Sequence, residues 1–190
     1  MEHIYLAFVD TPGFFASLIR YFIKQRYIHV VLSMDARLEE AYSVGRRNPL
    51  IPIFAGFERE NKRAIYRAFP TAKYKICEMT CNKEQKEQIC KTLRRDFKRR
   101  FHYHYTVLGL PFIVLGVPFY QKNHYTCSSY IARLLKENEI VISEKHFSLV
   151  TPRDIYEYPN KRTIFEGPLA EFLAGDMHYG RYRIRTGGGI

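Results

Sequence analysis

Two hydrophobic periods divide this chain. Residues 3–9 are a short, largely apolar run that predicts a first strand. Tyr27 to Asp35 forms a second β-rich run, with His29 at the start of its strand, which runs to Met34. Asp35-Ala36-Arg37 then turns the chain back into Glu39-Glu40-Ala41-Tyr42-Ser43-Val44, so the two runs predict a hairpin. Gly45 to Gly56 reads as a loop punctuated by Gly and Pro, and residues 64–69 and 74–79 read as further strands. Helical spacing appears in three places. Thr11 suits an N-cap and Pro12 a first helical position, ahead of a stripe of Phe14, Leu18, Ile19 and Phe22. Across residues 83–100, Ile89, Leu93 and Phe97 recur on one stripe. From Thr126 or Cys127 onward, Tyr130, Ile131, Leu134 and Leu135 share a face opposite Arg133, Lys136 and Glu137.

At 190 residues the chain is long enough for a single domain, 1–190, with a real core. Its net charge of +11 points to anionic partners or to an ordinary basic enzyme. Much of that charge crowds the helix at 86–100. The helix offers an anionic surface contact but reads first as a solvated face packed on a sheet. The N-terminus has no basic, cleavable leader pattern. The longest apolar run, Val107 to Tyr120, is too short and too broken by Gly and Pro to span a bilayer. That run is expected to pack beneath the Cys127 helix, with an acyl pocket or a membrane contact as the alternatives. A cytoplasmic location is expected, and no nucleic acid is required.

The four cysteines, Cys77, Cys81, Cys90 and Cys127, do not make a secreted disulfide framework at this length. Cys77, Cys81 and Cys90, with His102 and His104 downstream, lack the tighter spacing of a zinc knuckle. They are expected to be reduced and structural, and neither a metal nor a cofactor is expected. The terminal Gly187-Gly188-Gly189 reads as a frayed end.

Cys127 differs from the other three by its position. A thiol at a helix N-terminus meets unpaired N–H groups and the positive end of the helix dipole, which favour thiolate. Such a nucleophile needs a base, and His29 at its strand start is the candidate, brought near only by folding. His124 is a rival base on the same segment as Cys127. Ser128 and Ser129 read as capping residues rather than nucleophiles.

Several segments taken in order carry a resemblance. They are Leu6-Ala7-Phe8 with its turn, Tyr27-Ile28-His29-Val30, Ala41-Tyr42-Ser43-Val44-Gly45-Arg46 and Gly56-Phe57. Tyr125-Thr126-Cys127-Ser128-Ser129-Tyr130-Ile131-Ala132 and Thr151-Pro152-Arg153-Asp154 complete the set. In this order, with histidine before cysteine, the chain resembles the permuted papain-like hydrolases related to NlpC-type peptidases, the YiiX-like group. The resemblance covers most of residues 4–155 and matches the basic helix least. It implies an α+β domain with an antiparallel sheet, the Cys127 helix packed on it, and a third polar residue beside His29. Ser43 lies opposite His29 if the hairpin loop has three residues. Val44 does so if the loop has two or four, with Tyr42 or Glu40 then on the histidine's face. Ser43 is the preferred third residue, with Glu40 and Tyr42 as rivals. The resemblance also implies acyl transfer through a thioester on an amide, peptide or acyl-lipid substrate. The competing class is a non-catalytic basic module that binds nucleic acid or anionic lipid.

Overall fold

A computed structural model describes residues 1–12, 20, 25–48, 51–106 and 108–175. It is an α+β fold built on an open sheet. The strands are β1 (Glu2–Asp10), β2 (His29–Ser33), β3 (Ala41–Asn48), β4 (Ile51–Arg59), β5 (Lys73–Cys81), β6 (His104–Tyr105), β7 (His124–Tyr125) and β8 (Arg162–Pro168). Their order across the sheet is β7-β6-β4-β3-β2-β1-β5-β8. The sheet is mixed, not wholly antiparallel: β6 and β7 run parallel, pairing His104 with His124 and Tyr105 with Tyr125. The parallel step follows from the long connection between them, which brings the chain back to enter β7 from the end where β6 begins.

The helices are α1 (Lys62–Ala68), α2 (Lys83–Lys98), α3 (Gly109–Leu115), α4 (Cys127–Lys136) and α5 (Pro152–Glu157). Alternation along the strands sorts the core into two layers. Ile4, Leu6 and Phe8 of β1 and Val30 and Leu32 of β2 face a large cluster with Ile89 and Leu93 of α2 and Ile131, Leu134 and Leu135 of α4. Ala7, Val9 and Val31 face the smaller cluster on the other side, with Tyr74, Ile76 and Leu169. The α2 and α4 stripes thus bury the residues that their helical spacing selects. A buried hydrogen bond fastens the two helices together, since the Tyr130 hydroxyl donates to Asp96 at 2.8 Å.

Several local expectations need correction. Residues 64–69 form most of α1 rather than a strand. Their β-branched and aromatic content suggests a strand, but the Asn61 side chain accepts the Ala64 N–H as an N-cap, and Ile65, Tyr66 and Phe69 pack on the smaller cluster. Most of 45–56 is strand, because β3 and β4 continue through it as a pair, with Gly45 opposite Gly56. The β2–β3 connection spans 34–40 and is longer than any tight hairpin. It is organised by Asp35, whose carboxylate accepts the N–H groups of Arg37, Glu39 and Glu40. Leu38, buried at a φ of 58°, completes that loop. The helix expected through Phe14–Phe22 and the glycine tail lie outside the described residues.

The run before Cys127 does not pack beneath α4. It forms α3 and a return segment that leave Leu108, Val114, Leu115, Val117 and Tyr120 exposed. No described helix is long and apolar enough to cross a membrane.

Candidate active site

Thr126 decides where α4 starts. Its side chain accepts the Ser129 N–H while the Ser129 hydroxyl takes the Thr126 N–H, which closes a capping box. Cys127 is therefore the first helical residue. The box occupies the N–H groups of Thr126 and Ser129 and leaves those of Cys127 and Ser128 in the first turn. The Ser128 N–H favours the Cys127 thiolate. The Ser128 hydroxyl donates to the Val150 carbonyl at 2.6 Å, so both serines are held as structural groups.

The sulfur sits where two strands part. β2 and β3 pair at Leu32–Tyr42 and Ser33–Ala41, and no pairing continues toward His29. The Val30 N–H in that opening also favours the Cys127 thiolate. His29 is the first residue of β2, and by alternation it has the face of Val31, opposite the helical layer. Its place at the strand end lets the imidazole meet Cys127 there, close enough for charge and hydrogen bonding to act between them. The His29 side chain is 26% exposed, so the pair opens toward solvent on the histidine's side.

The residue beside His29 on β3 is Gly45. A Cβ there would lie 2.8 Å from His29 Cε1 and 3.3 Å from Nε2, so the ring occupies the space that any side chain would fill. The long β2–β3 loop is the reason that neither Ser43 nor Val44 stands opposite the histidine. Ser43 is buried two residues away and reaches the ring only through an intermediary. Its hydroxyl donates to Glu60 Oε2 at 3.2 Å, and that same oxygen lies 3.9 Å from His29 Nε2. The other rivals point elsewhere. Glu40 accepts two charged hydrogen bonds from Arg94, at 2.6 and 2.7 Å, and the Tyr42 hydroxyl donates to it at 3.2 Å. The two residues serve the packing of α2. His124 is held by the Lys122 carbonyl at 2.9 Å and lies against the His104 ring, 5.0 Å between centroids.

Glu60 is the residue that the sequence reading missed. It follows β4 directly, and its N–H donates to the Ala41 carbonyl, which continues the β3–β4 pairing by one residue. Recognising β4 would have placed it on the face of Ser43 by alternation. Its side chain is only 10% exposed. The buried Tyr74 hydroxyl approaches Glu60 without completing a hydrogen bond.

The electrostatics follow from these contacts. Burial disfavours the charged form of His29, but the facing Cys127 thiolate and the Glu60 carboxylate outweigh it and raise its pKa to about 10. Burial likewise disfavours the Cys127 thiolate, yet the His29 charge and hydrogen bond, with the N–H groups of Val30 and Ser128, bring its pKa below the ordinary value. Cys77, Cys81 and Cys90 move the other way, each raised chiefly by burial. The arrangement can hold a thiolate–imidazolium pair, with backbone N–H groups beside the sulfur.

Comparisons with known proteins give no identification: no family model, curated protein or solved structure matches the chain.

Proposed function

We propose that this chain is a cysteine-dependent hydrolase or acyltransferase with a permuted papain-like fold, acting on an amide or acyl ester. One observation carries the reading. Alone among the chain's four cysteines, Cys127 stands at a helix start, faces a histidine and has a lowered pKa. The Cys127 thiolate attacks the carbonyl carbon and forms a C–S bond. The carbonyl oxygen takes the negative charge, and first-turn N–H groups stabilise it. The intermediate collapses as the C–N or C–O bond breaks, and the His29 imidazolium gives its proton to the leaving group. Neutral His29 then takes a proton from water or another acceptor, which attacks the thioester and releases the thiolate. Glu60 positions the imidazole and favours its charged form, and Ser43 positions Glu60. Neither touches the reacting atoms.

The test is turnover of acyl-amide and acyl-ester libraries by wild type, Cys127→Ser and His29→Gln, with intact-mass detection of an acyl adduct. The expected result is an adduct on Cys127 and loss of turnover in both variants. Turnover that survives Cys127→Ser would overturn the proposal.

A further inference from the structure

Exposed apolar surface is concentrated in one place. Of the nine large hydrophobic residues exposed among the described residues, five lie between Leu108 and Tyr120: Leu108 (69% exposed), Val114 (63%), Leu115 (72%), Val117 (48%) and Tyr120. A sixth, Phe101, lies just ahead of β6. Such clustering marks an interaction surface, whereas scattered exposed apolar residues would not. The segment is also preformed. Phe112 and Phe119 stack at 4.6 Å between centroids and 11° between planes, tying α3 to its return segment. Gly116, at a φ of 68°, makes the turn, and its N–H and that of Val117 close back on the Ile113 and Phe112 carbonyls.

The charge around this surface points to its occupant. Residues 97–136 contain no Asp or Glu. Lys98 and Arg99 flank the segment upstream and Lys122 downstream, all exposed. Two basic residues earlier in α2 are engaged differently: Lys86 pairs with Glu2 at 3.0 Å and Arg94 with Glu40 at 2.6 Å. A second copy of this chain, at +11, would meet the same surface with like charge. An anionic bilayer matches both features, since its headgroups attract the cations while its acyl boundary receives the apolar side chains.

We propose that the 108–120 segment is a docking wedge that inserts Val114, Leu115 and Val117 into the interface of an anionic membrane. At this segment the chain lies on that membrane rather than crossing it. The inference does not depend on the chemistry of Cys127.

The experiment is co-sedimentation of the full chain with vesicles of phosphatidylcholine, alone or mixed with phosphatidylglycerol. Comparison variants are Val114→Ser with Leu115→Ser, and, as a control, Ile164→Ser on β8. Wild type and the control should bind the anionic vesicles and be released by salt. The double variant should bind about tenfold more weakly or worse. Replacing Lys98, Arg99 and Lys122 by Gln should weaken binding by about fivefold per charge. The side chains changed in the double variant are mostly solvent-exposed, so the fold should survive, which circular dichroism checks. The proposal is overturned if wild type ignores anionic vesicles, if neutral vesicles bind it equally well, or if the double variant binds like wild type. It is also overturned if wild type forms a dimer in solution that the double variant abolishes, because the occupant would then be a second copy.

Discussion

Cys90 and Cys127 are two thiols on helices, each touching one titratable side chain, and their acidities move in opposite directions. Cys90 lies within α2 and faces the carboxylate of Glu40, with its sulfur 3.8 Å from Oε1. Burial and that negative neighbour raise its pKa. Cys127 is more buried, at 4% exposure, yet its pKa is lowered. The difference comes from the partner's sign and from position along the helix. A histidine and first-turn N–H groups stabilise a thiolate, whereas a carboxylate at mid-helix destabilises one. Burial raises both values and does not set the order.

The contrast is broken most severely by removing its source. In wild type, Cys127 should be the first of the four cysteines to react with iodoacetamide near neutral pH, read by site-resolved mass spectrometry. With His29→Gln, its alkylation should slow by about 100-fold or more, on the scale of losing a catalytic acid–base partner. If Cys90 labels ahead of Cys127 in the folded wild type, the assignment of Cys127 fails.

Gly45→Ala comes next. The new Cβ would press on His29 Cε1 at 2.8 Å and push the ring from its place beside the sulfur. Alkylation of Cys127 should fall by about 10- to 100-fold, as expected for a displacement of about 1 Å. The rate of Cys90 should not change, because Glu40 and α2 are untouched. A wild-type rate at Cys127 would show that the ring has room to spare.

The pH profile tests the coupling itself. His29 is raised from 6.5 to about 10, so the folded state holds its proton more tightly than the unfolded chain does. Its contribution to stability is complete below the ordinary value and is lost as pH rises through about 10. The lowered Cys127 contributes above its ordinary value of 9.0, and that contribution is lost as pH falls through the lowered one. Activity should therefore be bell-shaped, with both limbs belonging to the pair rather than to either residue. Glu60→Gln should move the alkaline limb to lower pH and reduce turnover about tenfold, at the low end for a charge-assisted hydrogen bond. Ser43→Ala should do the same more weakly. An unmoved alkaline limb in Glu60→Gln would reduce Glu60 to a packing role.

The smallest effect approaches the comparison from the other side. Glu40→Gln removes the carboxylate facing Cys90, and should speed Cys90 alkylation about threefold while leaving Cys127 unchanged. A parallel change at Cys127 would mean that the two neighbourhoods communicate through β3.

What local sequence determined was the set of elements whose signals are complete within a few residues. The α4 stripe and the place of Cys127 in the first turn needed nothing from the rest of the chain, whereas the choice of Thr126 as its cap came from the structure. Local sequence sufficed for α2, β1 and β5 as well. The α+β class followed from their mixture. What only the tertiary structure decided was everything that depends on register. A one-residue change in pairing exchanges the faces of a strand, and the length of the β2–β3 loop was not legible because Asp35 organises it through backbone contacts. Hence Gly45, not Ser43 or Val44, stands beside His29. Glu60 was hidden because β4 and α1 contradicted their local pattern, and a carboxylate between two misassigned segments has no face to be placed on. The exposure of Leu108 to Tyr120 was hidden for a related reason. An apolar run states that water is unfavourable around it, but not whether protein or another phase will replace that water.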